Sequence, residues 1–216
     1  MHGPNRHIPV LLTLPLMTLA LFAASCAGEP DQAAPAQPLQ AQAPDSEPAF
    51  FAIGETADRI AYVIDRSASM TDTFPAVKAG LARSIRMLKP NQLFYVVFYS
   101  SGPAVELPAR KMVPAVEPNK LSAYEFIDSI EPAGQTNPNE AIEKAFAATP
   151  TIIYLMTDGE FKRSVIDLID ELNPDRKVIV NTFCVVYNSG EQVMREIASR
   201  NGGAYRHLTR SDLKKP

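Results

Sequence analysis

Two carboxylates stand at the ends of strongly apolar runs in this chain. Asp65 follows the run 60–64, and Asp158 follows the run 152–156 with one threonine between. Short apolar runs of this kind are typical of buried strands in parallel sheets. Open α/β sheets bind their ligands at the carboxyl ends of such strands. We therefore expect both carboxylates at one edge of a central sheet.

Hydroxyl side chains accompany these carboxylates. Ser67 and Ser69 follow Asp65 at a spacing of two residues, and Thr136 lies in a later polar segment. Hard oxygen ligands of this kind suit Mg²⁺ or Mn²⁺ better than Zn²⁺ or copper. The alternative is structural: the serines would cap the next helix while Asp65 accepts hydrogen bonds from backbone amides, and Thr136 would cap the helix that Pro138 begins.

The composition limits the class of protein. The chain has 216 residues, 46% of them apolar, which is enough for one domain with a proper core. Its formal net charge is −3, and it has no block of Lys or Arg. A nucleic-acid partner is therefore not indicated.

The first 26 residues have the pattern of a secretory signal. Arg6 is followed by an apolar stretch that is too short and too interrupted by proline for a comfortable membrane span. Residues 21–26 resemble the lipobox of bacterial lipoproteins, in which Cys26 is lipidated. Ordinary signal peptidase is the alternative, and it would release a soluble protein that starts at Gly28. We favour the lipoprotein. It would be exported to the cell envelope and anchored in a membrane, with its domain facing the periplasm or the exterior.

Residues 27–48 have the composition of a tether. They are rich in Pro, Ala, Gln and acids and contain almost no large apolar side chain. Such a segment buries too little surface to offset the entropy of ordering, so we expect it to be extended and disordered. Residues 49–216 then form a single domain.

Within that domain, strand patterns alternate with helix patterns. This alternation predicts βαβ units, and hence an α/β fold with a doubly wound, mainly parallel central sheet and helices on both faces. The predicted strands are 59–65, 93–99, 151–157, 178–187 and 204–208, and the predicted helices are 76–88, 121–130, 138–148, 161–172 and 191–200.

Three segments together carry a family resemblance. Residues 65–69 resemble the D-x-S-x-S signature of von Willebrand factor type A domains, 133–138 resemble the threonine loop of that family, and 155–160 resemble its strand-end aspartate. The resemblance implies a Rossmann-like fold and a metal-ion-dependent adhesion site. Its metal ligands would be Asp65, Ser67, Ser69, Thr136 and Asp158.

Two residues depart from the family pattern. Ala68 stands where the first motif commonly has Gly, and Gln135 replaces a frequent Gly before the threonine. If either position required a positive φ, the loop would be strained by about 1 kcal/mol.

The ligand set itself suggests how the site would work. A hard divalent cation takes about six oxygen ligands. Asp65 would act through water, Ser67 and Ser69 directly, and Thr136 with Asp158 from facing loops. One position stays open for a carboxylate of a protein or peptide partner, so the metal becomes an adhesive bridge. A scaffold in which the metal only ties loops together is one alternative, and a metal-dependent hydrolase is another.

The parts of familiar enzymes are missing from the sequence. A phosphatase of the haloacid dehalogenase type would need a second Asp where Ser67 stands. No glycine-rich phosphate loop follows any predicted strand. Once the signal is removed, His207 is the only histidine available as a base. We therefore predict a binding module and no enzyme.

Overall fold

A computed structural model of the chain describes residues 57–159 and 161–213. The predicted signal, the lipidation of Cys26 and the tether lie outside the described residues and stay predictions. No helix in the described part of the chain is long and apolar enough to cross a membrane.

The described residues build a seven-stranded sheet. The strands are β1 (Arg59–Asp65), β2 (Leu93–Tyr99), β3 (Val105–Glu106), β4 (Val113–Pro114), β5 (Ile152–Thr157), β6 (Ile179–Val185) and β7 (Tyr205–Leu208). Their order in the sheet is β3-β2-β1-β5-β6-β7, with β4 also pairing with β2. The parallel strands are β1, β2, β5, β6 and β7, whereas β3 and β4 lie antiparallel to β2.

Helices cover both faces of this sheet. A 3₁₀ turn (Ala68–Met70) follows β1, and the helices are α1 (Phe74–Met87), α2 (Glu117–Ser129), α3 (Asn139–Ala147), α4 (Ser164–Leu172), α5 (Glu191–Arg200) and α6 (Arg210–Leu213). The apolar residues of α1 and α2 pack on one face, and those of α3, α4 and α5 pack on the other. The predicted doubly wound α/β fold is confirmed.

Strand β1 is buried on both faces of the sheet. Tyr62 and Ile64 point into the α1–α2 side of the core, whereas Ala61 and Val63 point into the opposite side. All four side chains are fully buried. A strand covered on both faces needs apolar residues at every position, which is the pattern seen in the sequence.

The structure corrects several predicted boundaries. The short β3, β4 and α6 were not predicted, because two to four residues show no measurable period. Helix α4 begins three residues later than predicted, and Phe161 instead packs its ring against Tyr99, with centroids 6.2 Å apart. β6 ends before Val186, whose φ of 61° is incompatible with a strand.

Candidate metal centre

The predicted carboxylates meet at the carboxyl edge of the central strands. β1 lies between β2 and β5, and all three strands run in the same direction. Asp65 is the last residue of β1, and Asp158 follows directly after β5. Both side chains are buried.

Asp65 is held from two sides. The backbone N–H of Ser67 donates to its Oδ1 at 2.7 Å, and the hydroxyl of Thr157 donates to its Oδ2 at 2.7 Å. Burial nevertheless raises the pKa of Asp65 to about 6, because the loss of water disfavours the charged form more than these hydrogen bonds favour it. A nearby cation would relieve this cost.

The two serines join the two carboxylates, Ser67 by its backbone N–H to Asp65 and Ser69 by its hydroxyl to Asp158. The Oγ atoms of Ser67 and Ser69 lie 3.0 Å apart, and the hydroxyl of Ser69 donates to Oδ1 of Asp158 at 2.8 Å. Four of the five predicted ligand residues are thus linked by hydrogen bonds within one small site.

Thr136 reaches the same site on its own loop. Backbone hydrogen bonds tie this loop to the serine loop: the N–H of Ala68 donates to Gly134 at 2.9 Å, and the N–H of Ala133 donates to Arg66 at 2.7 Å. On the other side, a methyl group built on Gly159 would lie 3.3 Å from the Thr136 hydroxyl oxygen. The threonine therefore stands beside the loop that carries Asp158.

One carboxylate oxygen of this site lacks a hydrogen-bond partner. Oδ2 of Asp158 is buried and has no hydrogen-bond partner among the described residues. Buried carboxylate oxygens are normally paired, because an unpaired one loses its solvation without return. Burial also raises the pKa of Asp158. A divalent cation beside Oδ2 would supply the missing partner, so the donor set fits a hard metal ion.

The fit depends on hydroxyls as well as carboxylates. Within residues 57–159 and 161–213, no group of three or more His, Cys, Asp or Glu side chains is placed to hold a metal. Two carboxylates and three hydroxyls make a hard oxygen set, as Mg²⁺ and Mn²⁺ prefer.

The structural alternatives for the hydroxyl residues fit less well. Ser67 precedes the 3₁₀ turn without a side-chain capping bond, and helix α1 has Thr73 at its N-cap, so neither serine caps it. Helix α3 has Pro138 at its N-cap, so Thr136 does not cap it. The alternative for Asp65 holds in part, since it does accept the amide of Ser67.

The two departures from the family pattern cause no backbone strain. Among the described residues other than glycine, positive φ angles occur only at Arg110, Thr149, Arg176 and Val186. Ala68 and Gln135 are therefore in ordinary conformations, and the expected penalty of a missing glycine does not arise.

Two supporting residues were missed in the sequence. Thr157 donates to Asp65, and its oxygen accepts the N–H of Gly159 at 2.9 Å, so it fixes the position of both loops. Ser101 accepts the N–H of Gln135 at 3.0 Å and orders the threonine loop. The signal for Thr157 was its place as the one polar residue of β5; Ser101 had none.

Solved structures share this fold at low sequence identity. A von Willebrand factor type A protein from Catenulispora acidiphila is 19% identical with a TM-score of 0.64, covering 72% of this chain and 40% of that one. Proximal thread matrix protein 1 from the mussel byssus is 20% identical with a TM-score of 0.57, covering 70% and 41%. The D319A mutant of the PilB minor pilin from Streptococcus sanguinis is 12% identical with a TM-score of 0.54, covering 76% and 60%.

These likenesses concern the fold alone. The chain spans about two fifths of the length of the first two structures. No curated protein matches it in sequence. The family model of the von Willebrand factor type A domain matches residues 58–207, which is most of the chain. The match includes strands β1 to β6, all of β7 except its last residue, and all five candidate ligands. The chain belongs to the von Willebrand factor type A domain family.

Proposed function

We propose that this domain binds Mg²⁺ or Mn²⁺ at the site described above and uses the ion to hold an acidic group of a protein or peptide partner. Domains of this family are commonly protein-interaction modules. The metal ligands would be Asp65, Ser67, Ser69, Thr136 and Asp158.

The observation that carries the proposal is the unpaired oxygen of Asp158. Its sister oxygen is held by Ser69, so the carboxylate is oriented while Oδ2 stays available. Keeping a buried carboxylate half-satisfied costs stability. Such a cost is reasonable where a ligand removes it.

The charge of the site leaves room for an acidic partner. Two carboxylates balance a divalent cation without exceeding it, and the hydroxyls add no charge. An open coordination position on such an ion accepts a further anionic oxygen. A side-chain carboxylate of a partner would meet that need.

The thermal midpoint of the full chain, measured with and without millimolar Mg²⁺ or Mn²⁺, tests the metal site. A cation at 100 times its Kd adds about 2.7 kcal/mol to the free energy of unfolding. For a chain of this size the midpoint rises by about 2–4 °C per kcal/mol, so a rise of about 5–10 °C is expected. Asp158→Asn should abolish this rise.

A matched control uses the same chemical change elsewhere. Asp175 is an exposed carboxylate between α4 and β6, paired with Lys177 at 2.8 Å. Asp175→Asn should keep the full response to the metal. If wild type shows no response at millimolar metal, or if both variants lose it equally, the assignment of the site is wrong.

A peptide pair tests the partner's chemistry. A labelled peptide with one central Glu should bind the metal-loaded chain, whereas the same peptide with Gln should not, and EDTA should remove the difference. A loop-tying scaffold would respond to metal but bind both peptides alike. A hydrolase would turn over model phosphate or ester substrates, which we do not expect.

We further propose that the chain is exported and anchored through a lipid on Cys26. The support is the residue pattern of the first 26 positions alone. A diacylated cysteine would supply the two acyl chains that stable anchoring needs.

A further inference from the structure

Helices α1 and α2 enclose a groove that the metal site does not use. Its volume is about 750 Å³, within the range of about 300–1,000 Å³ that is usual for ligand pockets. Phe74 and Ile127 form its buried floor, Ala82 and Tyr124 are half-buried, and Ala79 is exposed. We call this the α1–α2 groove. It offers an apolar surface between the two helices.

The rim of the α1–α2 groove is acidic. Glu125, Asp128 and Glu131 line it with exposed side chains. No ion pair in the described part of the chain involves the carboxylate of Glu125 or Asp128. Exposed carboxylates without a cation partner attract a cation from outside.

Among the described residues that line the groove, Lys78 is the one cation, and its ammonium group is already paired. The Lys78 ammonium donates to the backbone oxygen of Asp128 at 2.8 Å and lies 3.9 Å from the Glu131 carboxylate. It also stands 5.4 Å from the centre of the Phe74 ring. Its side chain is only 17% exposed. Lys78 thus closes one wall and leaves the rim with an excess of negative charge.

The charge changes along the helices. An adjoining hollow of about 330 Å³ shares Ala79, Ala82 and Tyr124 with the groove, and its other lining residues are Arg83 and Arg86. The acidic end lies beside Thr71 and Pro132, next to the two loops of the metal site, and the basic end lies away from it. A cationic group therefore fits only at the end that faces the metal site.

The chain's own preceding segment does not have the charge to fill this groove. Residues 27–56 contain no Lys or Arg. Their five acids are Glu29, Asp31, Asp45, Glu47 and Glu55. This segment therefore has no cation to offer to the acidic rim.

We propose that the α1–α2 groove is a second protein-interaction surface, which takes a partner segment with an Arg or Lys next to a large apolar side chain. The apolar side chain lies over Ala79, Ala82 and Tyr124, and the cation lies between Glu125 and Asp128. This goes beyond the proposed metal-dependent function, because binding here needs no divalent ion. One partner that reaches both surfaces would gain affinity from their proximity.

Fluorescence anisotropy of the full chain in excess EDTA tests the groove without the metal site. The probes are two labelled peptides, Gly-Leu-Arg-Leu-Phe-Arg-Gly and its counterpart with Glu in place of both Arg. The basic peptide should bind at least about fivefold more tightly, because it can form two exposed ion pairs that the acidic peptide cannot form. Raising the salt should reduce this difference.

Two variants and one control locate the binding. The double variant Glu125→Gln, Asp128→Asn should bind the basic peptide about fivefold more weakly. Asp167→Asn with Glu171→Gln removes the same two charges from exposed positions of α4, on the other face, and should leave binding unchanged. Ala79→Gln should weaken the binding of both peptides, because the longer side chain extends into the groove. The thermal midpoint should stay unchanged, because position 79 is exposed on its helix.

Three results would overturn the proposal. Equal binding of the two peptides would remove the charge argument. Equal loss in the α2 and α4 variants would mean non-specific attraction to a negative protein. If neither peptide binds and the chain forms a dimer that Ala79→Gln disrupts, a second copy occupies the groove instead. Each result leaves the metal proposal intact, because the experiment contains no free metal.

Discussion

The hydroxyl of Ser69 donates a hydrogen bond of 2.8 Å to Oδ1 of Asp158, although the two residues lie 89 positions apart. The other oxygen of the same carboxylate is buried without a partner in the described part of the chain. Ser69 thus orients Asp158 without satisfying it fully. This relationship links the first loop after β1 to the loop after β5 and leaves a negative oxygen available to a ligand.

The unpaired oxygen predicts an unusual response to mutation. In EDTA at pH 7, Asp158→Asn should unfold at the same urea concentration as wild type or a higher one, because it removes a buried charge and keeps an acceptor for Ser69. Urea denaturation followed by circular dichroism measures this, with Asp175→Asn as the control. A lower midpoint for Asp158→Asn would mean that the charged carboxylate stabilises the metal-free fold.

The raised pKa of Asp65 predicts a pH dependence. Burial raises its pKa to about 6 from a usual value near 3.8, so the folded state binds a proton that the unfolded state has released between these values. The metal-free protein should therefore lose stability as the pH rises from about 4 to about 6, by up to about 3 kcal/mol.

Asp65→Asn separates this effect from the titration of other groups. The variant should show a flatter profile of unfolding free energy against pH between 4 and 6, measured by urea denaturation in EDTA. Magnesium should also stabilise wild type less at pH 5 than at pH 7.5, since protons compete with the ion. A profile of the same slope in both proteins would contradict the role of Asp65.

A buried lysine completes the end of helix α1. The Lys120 ammonium donates to the backbone oxygens of Arg86 at 2.8 Å and Leu88 at 2.7 Å. Lys120→Met keeps the apolar stem but leaves these carbonyls unpaired, so the free energy of unfolding should fall by about 1–3 kcal/mol. Lys89→Met, at an exposed neighbouring position, should change it by less than about 0.5 kcal/mol. Equal effects in chemical denaturation would refute the capping role.

One glycine allows a close approach of two backbone segments. A methyl group on Gly203 would lie 2.0 Å from the carbonyl oxygen of Val180, whereas one on Gly102 would meet open space. Gly203→Ala should therefore lower the free energy of unfolding by about 1–3 kcal/mol. Gly102→Ala should leave it within about 0.5 kcal/mol of wild type. A wild-type thermal midpoint for Gly203→Ala would show that β6 and the turn before β7 separate easily.

The proposed lipid anchor predicts a change of fractionation. Cys26→Ser removes the only thiol in the lipobox-like segment. The variant should move from the membrane fraction to the soluble fraction of the producing cell, as judged by immunoblot. An unchanged distribution would mean that Cys26 is not the anchor. Cys184→Ser serves as the control, because that thiol is buried in the domain.

The sequence alone determined the architecture and which residue types stand at the candidate site. The strands β1, β2, β5 and β6 were visible because burial on both faces demands nearly continuous apolar runs. Their polar ends placed Asp65 and Asp158 at one edge, because parallel strands bring their carboxyl ends together. The hydroxyls were recognisable because Ser67 and Ser69 keep a fixed spacing from Asp65 along the chain.

Only the tertiary structure decided which groups are satisfied and which are left over. Oδ2 of Asp158 is unpaired because Ser69 bonds only Oδ1 and no other described residue forms a hydrogen bond with Oδ2. The support from Thr157 to Asp65 spans 92 positions, and Lys78 meets Asp128 across 50. The α1–α2 groove exists because two helices far apart in the chain pack side by side. No local pattern encodes such contacts, because their partners are chosen by the packing of the whole core.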